Sequence, residues 1–149
     1  MKKRLIIGII AFIFGVVVAL YLASVFRVII QDIYQLTTSN KIQFVGKNFY
    51  IFINPFYYFS FGFATSLLVL SNWGKKYLTI IKNGILFISI FGIMIFIISA
   101  LDANFKVVEC TACDNGIRHL HWNEVSYWKI LGISSLIAII PTLIKFYKK

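Results

Sequence analysis

Two cysteines, Cys110 and Cys113, and two histidines, His119 and His121, are all that this 149-residue chain has of either type. They lie together in DANFKVVECTACDNGIRHLHWNEVSY, residues 102–127. Three chemistries are open to such a set. A C-x-x-C dithiol with lowered thiol pKa cycles with its disulfide, as redox pairs do. The same two cysteines closed permanently would brace the loop. With His119 and His121, whose i, i+2 spacing puts both rings on one face of a strand, Cys110 and Cys113 offer a ligand set for zinc or copper. The C-x2-C-x5-H-x-H spacing is no standard structural zinc signature, and Asp114 after Cys113 excludes the C-x-x-C-H haem attachment. A bracing disulfide asks least of the surrounding sequence. Arg118 and Glu124 read as solvated loop charges.

The element that must position these residues reads as a hairpin. Asn115-Gly116 suits a type I′ turn, which needs positive φ at both central positions. It is flanked by β-leaning runs, Phe105 to Thr111 and Ile117 to Trp122. In that register Cys110 faces His121 and Ala112 faces His119, while Cys110 and Cys113 point to opposite faces. A closed C-x-x-C ring therefore competes with the hairpin over residues 110–113. The preceding polar stretch, residues 27–48, opens with Ile29, Ile30, Ile33, Tyr34 and Leu36, which suit a short amphipathic helix lying on a membrane. Alternation at Ile42 and Phe44 beyond it reads as a short strand.

These loops interrupt a chain that is 60% hydrophobic, 17% aromatic and only 13% charged. Soluble domains average about 45–50% apolar and about 25% charged residues. The net charge of +10 would suit a nucleic-acid binder, but such modules need a polar surface that this chain lacks. Apolar runs at residues 5–26, 49–70, 80–101 and 128–144 are of the length that crosses a bilayer. The expectation is an all-α integral membrane protein over residues 1–149: a four-helix transmembrane bundle with a small extracytoplasmic loop region that includes the β-hairpin. The first run is longer than a signal-peptide core and lacks its small-residue exit, so it reads as a retained span. Asn54-Pro55 should kink the second span, and Pro141 should disturb the last turn of the fourth.

Orientation follows from Lys and Arg in the short connections. Lys2, Lys3, Arg4, Lys75, Lys76, Lys82, Lys145, Lys148 and Lys149 fall on one side with no acid among them. The other side carries Arg27, Lys41, Lys47, Lys106, Arg118 and Lys129 against all five acids; all of these but Lys129 lie in loops 27–48 and 102–127. Both termini are therefore expected in the cytoplasm. Trp73, Tyr77, Tyr127, Trp128 and Tyr147 fall at the expected interfaces. Heavy use of Ile, Phe, Lys, Asn and Tyr fits an AT-rich bacterial genome and hence a plasma membrane.

Ala11, Gly15, Ala19 and Ala23 form a small-residue stripe suited to close helix packing, within the chain or between copies. The ring-rich second span reads as core and lipid-facing packing, with a quinone or lipid-tail pocket as the rival. No acid, histidine or arginine interrupts the expected spans, which argues against a pump, coupled transporter or selective channel. No repeat of 20–50 residues is visible.

Four spans and one C-x-x-C resemble the membrane thiol oxidoreductases of the DsbB and vitamin K epoxide reductase type. That resemblance implies a relay through two cysteine pairs and a quinone; this chain has the single pair Cys110 and Cys113. No Ser/His/Asp set, phosphate-binding Gly loop or carboxylate pair accompanies it, and no cofactor is implied by the residues themselves. The expected function is accessory: a small multi-pass protein acting through its extracytoplasmic loops on another membrane or extracytoplasmic protein, or shielding the membrane as a bacteriocin-immunity protein does. The lipid bilayer is its first partner and nucleic acid is not one. The alternative is a membrane thiol–disulfide oxidoreductase using Cys110 and Cys113.

Overall fold

The computed structural model describes residues 2–46, 54–108 and 116–147. The order is α1 (Lys2–Thr37), β1 (Ile42–Val45), α2 (Phe56–Ser71), α3 (Tyr77–Val108), β2 (Arg118–His121), a 3-10 turn (Trp122–Glu124) and α4 (Tyr127–Tyr147). Helix–strand–helix thus occurs twice. The expected four helices are present, and three helical segments are long and apolar enough to cross a membrane: α1, α3 and the stretch containing α4. The fourth helix, α2, is apolar and has 16 described residues.

Two helices outrun the expected spans. At 1.5 Å per residue α1 and α3 are about 54 and 48 Å long, against a hydrocarbon thickness of about 30 Å. The separate amphipathic helix expected after Arg27 is instead the continuation of α1 to Thr37. Nothing in RVIIQDIYQLT breaks a helix: it holds no glycine or proline. Its Arg27, Ile30 and Tyr34 also prolong the face that α1 buries.

Both prolines differ from expectation. Pro55 does not kink the described part of α2 but stands just before it, with φ −75°. There its missing N–H costs no helical bond. Asn54 Oδ1 accepts from the Phe56 N–H at 2.9 Å, which fixes the start. Residues 49–53 of the expected span lie outside the described residues. Pro141 lies inside α4, which runs on to Tyr147. Its neighbours Ile139 and Thr142 are buried against the bundle, and that packing holds the helix across one lost hydrogen bond.

The buried face of α1 is Gly8, Ala11, Gly15, Ala19, Ala23, Arg27, Ile30 and Tyr34. These spacings of three and four residues keep one stripe against the bundle. The stripe packs within the chain, against α2. A Cβ on Gly15 would lie 2.9 Å from Gly62 Cα, and one on Gly62 would lie 3.0 Å from the Phe12 carbonyl. Ser66 Oγ donates to the Gly8 carbonyl at 2.9 Å, joining the same two helices. Rings fill the next layer. Phe26 sits edge-on to Tyr57 and Phe91, and Phe61 packs on Phe87 and Phe91. Phe59 and Phe63 of α2 face outward.

Large apolar side chains lie on the described surface as well as in the core. Small and polar residues such as Ala19, Ser99 and Ser134 lie inside with the rings, and Leu5, Phe14 and Ile88 stand 68%, 67% and 68% exposed. Such faces, on helices long and apolar enough to cross a membrane, suit an apolar solvent.

The sheet corrects the hairpin. Arg118–His121 pair in parallel with Ile42–Val45, in register Ile42↔Arg118 to Val45↔His121. Phe105–Val108, expected as strand, are the last turn of α3. The remainder of the expected hairpin, residues 109–115, lies outside the described residues. Helix geometry explains the parallel pairing. Phe26 lies by Phe91 and Tyr34 by Asp102, so α1 and α3 run the same way. Each is followed by a strand, and the two strands inherit a common direction. The short strand expected at Ile42 and Phe44 is present as β1.

Candidate functional site

The four chemistry-bearing residues have different standings. Cys110 and Cys113 lie outside the described residues, and with them the bracing-disulfide, redox and metal readings. His119 and His121 are both on β2, with His119 exposed and paired to Gln43. His121 has a local structural task. Its Nδ1 lies 2.6 Å from Asn123 Oδ1, and its backbone N–H donates to Glu124 Oε1 at 2.8 Å. Together these cap the 3-10 turn that leads into α4. The His121 ring packs directly on Gly46, at φ +96°, where any side chain would collide with it. Among the described residues no group of three or more His, Cys, Asp or Glu could hold a metal ion.

What the fold does assemble is a packed cap at the sheet end. Ile30, Tyr34, Ile42, Ala103 and Leu120 are all at 0% exposure, drawn from α1, β1, α3 and β2. The Phe44 ring lies 6.0 Å from that of Tyr34. Polar bonds tie the same pieces together. The Tyr34 hydroxyl donates to Asp102 Oδ2, joining α1 to α3. Gln31 Nε2 donates to the Tyr127 hydroxyl at 2.9 Å, joining α1 to α4. Arg118 Nη1 donates to the Lys106 carbonyl, and the Arg118 N–H to the Lys41 carbonyl at 2.7 Å. Arg27 is buried one turn before Gln31. It falls on the α1 stripe, where 23, 27, 30 and 34 continue the spacing of Ala11, Gly15 and Ala19, although the sequence marks it as the end of a span.

Beside this cap, where α2 and α4 begin, a cleft of about 420 Å³ opens. Asn54 and Pro55 form one wall, and Trp122, Asn123 and residues 125–128 supply the other. Trp122, Tyr127 and Trp128 give it aromatic surface; Asn54, Asn123 and Ser126 give it polar groups. The opposite end of the bundle is a tight turn. There Asn83 Nδ2 donates to Asn72 Oδ1 at 2.6 Å, and Asn72 Nδ2 to the Leu68 carbonyl at 2.8 Å. The arrangement at the sheet end offers preformed surface, an amphipathic cleft and strand edges, which are means of binding.

Comparison with known proteins finds no match for the chain among protein-family models, curated proteins or solved structures.

Proposed function

We propose that this is an accessory multi-pass membrane protein of the bacterial plasma membrane, with both termini cytoplasmic, that holds a partner protein through its sheet end. The observation that carries the reading is the parallel β1–β2 sheet built onto the ends of α1 and α3. The described parts of two polar loops meet there in one sheet packed on the helices, and a surface so anchored is suited to recognition. Among the described residues β1 and β2 pair only with each other. A two-stranded sheet leaves backbone donors and acceptors along its outer edges, and an extended segment of another chain can add to such an edge. Gln43, Val45 and His119 are the exposed side chains beside those edges. The partner is therefore an extracytoplasmic or membrane protein that offers an extended segment. Nine basic and no acidic residues in segments 2–4, 75–82 and 145–149 of the sequence support the orientation.

The test is photocrosslinking in intact cells from a diazirine amino acid at position 43 or 119, with positions 5 and 88 as lipid-facing controls. A discrete protein adduct from 43 and 119, absent from 5 and 88, is the expected result. Lipid adducts alone at all four positions would defeat the proposal.

A further inference from the structure

We infer that the cleft between the starts of α2 and α4 binds the phosphodiester headgroup of a bilayer lipid. The inference rests on the membrane reading above and adds a ligand to it. At about 420 Å³ the cleft is within the usual size of small-ligand sites, about 300–1,000 Å³.

Its polar lining is unbalanced toward donors. Asn54 Oδ1 is occupied by the Phe56 N–H, and Asn123 Oδ1 faces His121 Nδ1. The Nδ2 groups of both asparagines, and the Ser126 hydroxyl, donate to no other described residue. Lys129 stands next to the cleft, its Nζ 5.2 Å from the Trp128 ring centroid. The starts of α2 and α4 add the positive ends of two helix dipoles. Among the described residues no carboxylate lines the cleft. Glu124, the acid nearest in sequence, turns Oε1 to the His121 N–H. Donors without competing acceptors select an acceptor-rich, anionic ligand.

The surroundings select its source. Trp122, Tyr127 and Trp128 line the site, and aromatic rings of this amphipathic kind concentrate at headgroup depth. Phe56 lies edge-on to Trp128 and across Gly132, closing the cleft toward the helices. From Phe59 and Ile133 onward the exposed faces are apolar. A headgroup in the cleft would thus leave its acyl chains beside surface that already requires lipid. A free phosphate would gain nothing from the rings.

The experiment uses the full chain purified in an uncharged maltoside detergent and titrated under native mass spectrometry. The probes are short-chain phosphatidylglycerol, diacylglycerol with the same chains, and inorganic phosphate. Phosphatidylglycerol should bind at least tenfold more tightly than the other two. The double variant N54D/N123D keeps each Oδ1 acceptor but replaces the amide donors by carboxylates. It should lose at least tenfold in affinity while keeping the wild-type thermal midpoint. Equal binding of phosphatidylglycerol and diacylglycerol, or phosphate binding as tightly as the lipid, overturns the inference. So does a folded double variant with undiminished affinity. The wild-type titration decides the matter even if the variant does not fold. Carbonate extraction of native membranes separates the two readings. Release of the chain overturns its membrane residence, whereas retention without headgroup preference overturns the cleft alone.

Discussion

Gly15 and Gly92 are both glycines inside helices, yet their surroundings predict opposite outcomes for one methyl group. A Cβ at Gly15 would press on Thr65 and on Gly62 Cα, backbone that cannot swing aside. At Gly92 it would meet nothing within 4 Å. Gly15→Ala should therefore destabilise the α1–α2 pair by about 1–3 kcal/mol, the usual cost of overpacking. Gly92→Ala should be neutral or stabilising by up to about 1 kcal/mol through helix propensity. Thermal midpoints of both variants in the same detergent check this, and the ranking reverses if the close α1–α2 approach is absent. The small stripe was legible in the sequence because composition and spacing both marked it. Arg27 was not, because a charge at the edge of an apolar run reads as the end of a span. Here the end of the apolar run is not the end of the helix, and the arginine falls on the buried stripe. His121 has a role its spacing does not show, since its hydrogen bonds cap the 3-10 turn before α4.

At the scale of elements, helices could be located from hydropathy but not measured by it. A hydropathy window stops at Arg27 and Asp102; the helices continue because those side chains are accommodated in the bundle, Asp102 by the Tyr34 hydroxyl. The hairpin expectation failed for a related reason. Turn propensity acts over four residues, whereas the partner of β2 is chosen by which helix ends lie side by side. Gly116 has φ +76° just ahead of β2, Asn115 lies outside the described residues, and the antiparallel pairing inferred from that turn is replaced by a parallel one. The sheet's attachment can be tested through Leu120, which is fully buried under it. Leu120→Ala should remove about 2–5 kcal/mol of local packing. Hydrogen exchange should accelerate at residues 38–46 and 116–126 by tenfold or more and leave the α1–α2 contact near Gly15 unchanged. Uniform acceleration throughout would mean that the sheet end is not a separable cap.

For the molecule as a whole, apolar exterior, basic turn and polar cap form a consistent vertical order. The apolar faces of α1 and α3 lie between an end bearing Lys75 and Lys76 and an end bearing the sheet. The orientation proposed above can be read by single-cysteine labelling in a background with Cys110 and Cys113 replaced by serine. A membrane-impermeant maleimide should label Gln43→Cys in intact cells and Lys76→Cys only after permeabilisation; the opposite pattern inverts the orientation. The register of the sheet has a further consequence, in time rather than in space. Ile42 pairs with Arg118, 76 positions later in the chain. At synthesis rates of about 5–20 residues per second, β1 is made about 4–15 s before its partner strand exists. Throughout that interval the first helix–strand–helix half carries an unpaired strand, and two more helices must be built before the cap can close. Closure of the sheet is thus a late event in the birth of this protein, and agents that bind free strands have their longest opportunity before it.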